Sequence, residues 1–106
     1  MNYWEYIRVE ELLGLQSGGA KSEKDLSNDE VLFIVVHQVY ELWFKQLLHE
    51  LDYLMLQLRQ NEQSRASHTM RRILSILKTI VAQIDVLETM TPLEFNSFRG
   101  FLESAS

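Results

Sequence analysis

Two side chains in this sequence sit where they could do chemistry, His37 and Arg99. His37 follows six apolar residues in a row at 31–36, inside NDEVLFIVVHQVYELWFKQLL at 28–48. A helix that is apolar all round is expected to be buried, because no face is left for water. A His at the end of such a run is costly unless its ring finds a partner. Phe33 lies one turn earlier on the same helix face. A lone His in such a place is more often a satisfied core residue than a functional one. Arg99 shares a side with Phe95 and Phe98. A guanidinium flanked by aromatics can clamp a carboxylate bidentately with water excluded. The alternative is a surface Arg whose stem covers apolar area.

Other pairings carry weaker signals. His37 and Glu41 stand one turn apart and could chelate a metal. A carboxylate-bridged di-metal bundle, however, uses Glu-x-x-His pairs, and none occurs in this sequence. Glu41 is more simply an i,i+4 partner for Lys45. His49 and His68 lie in polar neighbourhoods and are expected on the surface. Trp43 and Phe44 are most simply core. Tyr3, Trp4 and Tyr6 crowd three aromatics into the first seven residues. They suit a lid, a subunit contact, or packing on the chain's own helices. No Gly-rich phosphate loop, nucleophile elbow or Ser/His/Asp grouping is present.

The elements that must position these groups are all helices. Residues 8–15 are expected to form a short helix with Val9, Leu12 and Leu13 inward. Residues 17–27, SGGAKSEKDLS, are expected to form a flexible loop. Ser27 and Glu30 have the spacing of a capping box and start a helix reaching about Gln60. That helix would be on the order of 50 Å long at about 1.5 Å per residue. Residues 61–67 are polar and make a turn. A second long helix covers about 68–88. Its apolar positions Met70, Ile73, Leu74, Leu77, Ile80, Val81, Ile84 and Leu87 step by three and four, as a core-facing stripe does. Two long helices joined by a short turn are expected to pack antiparallel. Thr91-Pro92-Leu93-Glu94 opens a last short helix, with Thr as cap and Pro at the first position. The chain ends at 103–106 without a cap. The expected fold is all-α and a single helical domain over 1–106.

Composition narrows the function. The chain has 106 residues, is 46% hydrophobic and holds two Trp, four Tyr and five Phe, which suits a globular core. The formal net charge of −5 argues against a nucleic-acid surface. There is no cysteine, so disulfides, Cys-ligated zinc, iron–sulfur clusters and thiol catalysis are excluded within the chain. Charges come too early for a signal peptide. No continuous apolar run approaches the roughly 20 residues of a membrane span. A cytoplasmic protein with no membrane partner is expected.

Three blocks give a more specific reading. Residues 28–48 closely resemble the signature of the tryptophan 2,3-dioxygenase family, a pattern like HDE-LFI--HQ-YELWFK. Residues 87–102, LETMTPLEFNSFRGFL, look like that family's second block, LETMTP followed by F--FR. The opening YWEYIRVEELLGLQ is similar to its Y--YL-L--LL--Q. The blocks occur in order and span nearly the whole chain. The resemblance implies a larger helical haem dioxygenase. Such an enzyme uses O2 to open the indole ring of L-tryptophan, giving N-formylkynurenine. By motif position it implies that His37 hydrogen-bonds the indole N–H, that Phe33 and Phe95 line the pocket, and that Arg99 pairs with the substrate carboxylate. It also implies a homotetramer in which Tyr3, Tyr6 and Ile7 reach a neighbouring subunit's site.

Two departures accompany the resemblance. Asn28 stands where the family pattern has His, and is still a good cap. The family continues with a SGFQS-like stretch and a later proximal His, whose position none of the three His here matches. As an isolated chain, 1–106 is therefore expected to bear no metal ligand of its own, hold no stable haem and show no turnover. The alternative expectation is a stand-alone helical oligomerisation or ligand-binding module without catalysis.

Overall fold

Capping and turn chemistry set the helix boundaries in the computed structural model, which describes residues 1–100 and 102. The expected uncapped end at 103–106 lies outside the described residues. Among the described residues the ranged α-helices are α1 (Tyr3–Tyr6), α2 (Val9–Leu12), α3 (Asn28–Arg59), α4 (Gln63–Leu87) and α5 (Pro92–Asn96). No strand occurs among the described residues, so the fold is all-α as expected. The chain divides into two compact units, Met1–Val35 with Met90–Ser106 and Val36–Thr89; α3 runs through both.

In the first unit the helix expected over 8–15 is the one-turn α2, preceded by α1, and Leu12 and Leu13 are exposed rather than inward. Asn2 Oδ1 caps α1 by accepting from Glu5 N at 2.8 Å. Arg8 then adopts a left-handed conformation, φ 56°, which no continuous helix tolerates. Its Nε donates to Glu11 Oε2 at 2.7 Å. In the 17–27 segment, Gly18 sits at φ +59°, and a Cβ there would come within 3.1 Å of Ile34 Cδ1. Glycine allows both the backbone angle and the close approach. Ser27 Oγ accepts from Glu30 N at 3.2 Å and starts α3 where the sequence indicates. Thr91 and Glu94 form the expected reciprocal capping box of α5.

The last helix does not continue as expected. Ser97 N–H donates to Glu94 O and Phe98 N–H to Phe95 O, three-residue bonds that tighten the chain into a turn. Helical conformation resumes at Arg99. The expectation that Phe95, Phe98 and Arg99 share one side of a continuous helix is thus corrected.

In the second unit α4 starts about a turn earlier than expected, because the turn is made by Asn61. Asn61 is left-handed at φ 58°. Its N–H donates to Leu58 O at 3.2 Å and Glu62 N–H donates to Gln57 O at 2.9 Å. This bond pair closes α3 in a Schellman motif and frees 63–67 to be helical. Gln57 meets Thr69 at 2.7 Å and Glu50 meets Arg72 at 3.7 Å, so the helices run antiparallel. Their buried residues are Val36, Glu50, Gln57, Ala66, Thr69 and Ile76.

The expected core stripe of α4 is only partly covered. Ile73, Ile80 and Leu87 are half-buried, while Met70, Leu74, Leu77, Val81 and Ile84 are exposed. Leu48, Leu51, Met55 and Leu58 of α3 are exposed too, as is Phe44, which is not core. A two-helix seam covers one narrow strip of each helix, and this apolar surface is wider than that strip. By window-averaged hydropathy, 1.2 over 18 residues, α3 is long and apolar enough to cross a membrane, which a search for unbroken apolar runs overlooks. A core helix of a larger helical protein has the same composition.

Candidate functional site

The cap that starts α5 also places its aromatic residues. Glu94 Oε1 accepts from Thr91 N at 3.3 Å, and Glu94 N donates to Thr91 Oγ1 at 3.2 Å. A hydrogen bond with Asp29, in the first turn of α3, holds the Glu94 carboxyl below its ordinary range. The Thr91 bonds act in the same direction. The same contact with Glu94 raises the Asp29 carboxyl. As pH falls through the carboxylate range, these opposite shifts favour Asp29 over Glu94 as the first to take up a proton.

Beyond that link three rings meet. Phe33 and Phe95 stand 5.8 Å apart between centroids, Phe33 and Phe98 5.2 Å, and Phe95 and Phe98 5.5 Å. Two of the three contacts are edge-to-face, the favoured geometry for aromatic pairs. Phe98 is 2% exposed, the most buried apolar side chain described. Phe33 and Phe95 are half-buried and form the open side of the cluster. The structure therefore brings together two expected pocket residues and adds Phe98. The sequence signal for Phe98 is its three-residue spacing from Phe95.

Other expected residues lie elsewhere. His37 belongs to the second unit, one turn beyond Phe33 along the unbroken α3. It is exposed, which corrects the expectation that the apolar run buries it. Of that run only Val36 is buried, because one helix cannot bury its own circumference. The His37 ring meets Tyr40 edge-on at 6.0 Å, and Tyr40 stacks on Phe44 at 6.2 Å. The Tyr40 hydroxyl is buried with no hydrogen-bond partner among the described residues. Arg99 is exposed where helical conformation resumes after the Ser97–Phe98 turn. Tyr3 and Tyr6 are 75% and 74% exposed, and Ile7 is 40% exposed. Among the described residues no three His, Asp or Glu side chains gather as a metal-binding group.

Fold and cluster define a class of protein: an all-helical chain with an aromatic cluster gathered by a capped short helix against the start of a long one. The sequence profile of the tryptophan 2,3-dioxygenase family matches residues 1–106, the whole chain. The tryptophan 2,3-dioxygenase of Herpetosiphon aurantiacus is 61% identical over 106 residues, covering 100% of this chain and 40% of the relative. That of an Anaeromyxobacter strain is 53% identical, covering 100% and 38%. That of Aedes aegypti is 43% identical over 111 residues, covering 100% and 28%. This chain belongs to the tryptophan 2,3-dioxygenase family. It spans 40% or less of the length of these relatives. The match does not favour the stand-alone module.

Proposed function

We propose that this chain forms the substrate-side portion of a tryptophan 2,3-dioxygenase. The observation that carries this reading is 61% identity to such an enzyme across all 106 residues. The reaction inserts both atoms of O2 across the indole C2–C3 bond of L-tryptophan. That bond breaks, N-formylkynurenine forms, and no external reductant is consumed.

His37 accepts the indole N–H and Arg99 holds the carboxylate as a bidentate ion pair. Phe33 and Phe95, gathered with Phe98, provide the apolar wall for the indole. Holding the amino acid at its two ends fixes the orientation of the ring, and positioning of this kind accounts for much of what a protein adds to an oxidation. Haem, which the resemblance implies, supplies the oxygen chemistry when bound. The steps given to this chain are therefore binding, orientation and exclusion of water. The exposed Tyr3, Tyr6 and Ile7 suit an assembly in which this segment covers a neighbouring subunit's site, as a homotetramer in the cytoplasm.

The test is turnover of L-tryptophan by the haem-reconstituted product of the complete reading frame, followed by N-formylkynurenine absorbance. Arg99→Gln should lower kcat/KM by about 100-fold or more, mostly through KM, because a desolvated carboxylate loses its partner. Unchanged kinetics in Arg99→Gln would overturn the assignment of the clamp. No product from the unsubstituted enzyme would overturn the function.

A further inference from the structure

An open cavity of about 430 Å³ lies in the second unit, where α3 and α4 approach their connecting turn. Tyr53 and Gln57 line it from α3, and Ser64, Arg65, His68, Thr69 and Arg72 from α4. Its volume is that of a small-molecule pocket. Arg65, His68 and Arg72 follow one another at three and four residues, so one face of α4 presents two guanidiniums and an imidazole.

Both guanidiniums in this cavity are ion-paired, at distances longer than a hydrogen bond. Arg65 approaches Glu62 only to 3.6 Å and Arg72 approaches Glu50 only to 3.7 Å. These are ion pairs beyond hydrogen-bond length, which leaves the guanidinium N–H groups available. Gln57 supplies a second, independent observation. It is 2% exposed, and its Oε1 accepts from Thr69 Oγ1 at 2.7 Å. That bond fixes the amide orientation, and the Nε2 of Gln57 has no acceptor among the described residues. The lining thus combines two Arg, an amide donor, a Ser hydroxyl and a Tyr ring, and the carboxylates of Glu62 and Glu50 stand beside the two Arg.

We propose that this cavity binds a small organic oxyanion, a phosphate or carboxylate held by Arg65, Arg72 and Gln57 Nε2, with its body against the Tyr53 ring. A fork of guanidinium donors matches either oxyanion bidentately. The volume exceeds that of a bare anion, so a ring attached to the oxyanion should add affinity.

The test is NMR titration of the full chain with inorganic phosphate, phenyl phosphate and acetate, each against sodium chloride at matched ionic strength. Saturable shifts at the Gln57 side-chain amide, His68 and the Arg Nε–H groups are expected, at lower concentration with phenyl phosphate than with phosphate. Acetate separates the two chemistries: saturation by acetate as well assigns a general oxyanion site, and saturation by phosphate alone assigns a phosphate site. Arg65→Gln, at an exposed position, should weaken binding about tenfold or more, and Arg71→Gln, outside the lining, should not. Arg72→Gln also removes the counter-charge of buried Glu50, so if that variant unfolds, the affinity of Arg65→Gln decides. Shifts equal to those with chloride, or indifference to Arg65→Gln, would overturn the proposal.

Discussion

Phe98 meets Phe33 edge-on, with ring centroids 5.2 Å apart and planes at 62°. One residue comes from the turn after α5 and the other from the first turns of α3. This contact ties sequence positions 65 residues apart (98 − 33) into one unit. Phe98 is its buried member, so Phe98→Ala should destabilise that unit by about 3 kcal/mol. Phe95→Ala, at a half-buried ring, should cost less. Urea denaturation followed by near-UV circular dichroism measures both. A smaller loss for Phe98→Ala than for Phe95→Ala would contradict this packing.

The Asp29–Glu94 pair sets a pH dependence with two signs. Asp29 is raised, so its contribution is full below its ordinary value and is lost as pH rises through the raised one. Glu94 is lowered, so its contribution is present above its ordinary value and is lost as pH falls through the lowered one. Stability from this contact should therefore peak at about pH 4, between the two losses. Asp29→Asn keeps a donor toward Glu94 at every pH and should abolish the loss on the alkaline side. Thermal melts from about pH 3 to 6, where carboxylates titrate, provide the readout. Identical profiles for the two proteins would refute the opposite shifts.

Thr69 and Gln57 are both almost fully buried and joined at 2.7 Å. Thr69→Val leaves Gln57 Oε1 without its donor and should cost about 1–3 kcal/mol. Removing both polar partners, as Thr69→Val with Gln57→Leu, should cost less than the sum of the single changes. A double-mutant cycle reads the difference, and strict additivity would mean that the bond carries no coupling.

Gly18→Ala tests the approach of the 17–27 segment to α3. A Cβ there meets Ile34 Cδ1 at 3.1 Å, on a backbone at φ +59°. Left-handed conformation alone costs a non-glycine residue about 1 kcal/mol. Gly19→Ala, with open space around it, should be tolerated better. Comparing the melting temperatures of the two variants checks this, and equal losses would mean that the close approach is absent in solution.

Haem titration addresses the cofactor. Residues 1–106 alone should show no saturable Soret band on addition of haem, whereas the product of the complete reading frame should. A stoichiometric band with 1–106, lost in His37→Ala, would make His37 an iron ligand and displace it from its indole role.

The helices, their caps and the family were legible in the sequence because each rests on neighbouring residues. Ser27 with Glu30, and Thr91 with Glu94, satisfy helix-start donors within one turn, so local chemistry decides those boundaries. The family motifs are local runs as well. The early start of α4 and the break after Phe95 depended on Asn61 and Ser97 adopting turn conformations that several residue types allow. The exposure of His37 was not readable either: an apolar run says that a helix seeks cover, and only the packed chain shows how much cover it has. Likewise Phe33, Phe95 and Phe98 were each visible as apolar positions. Their meeting, and the opposite shifts of Asp29 and Glu94, came from tertiary structure, because contacts between distant positions depend on how helices are brought together, which no periodicity encodes.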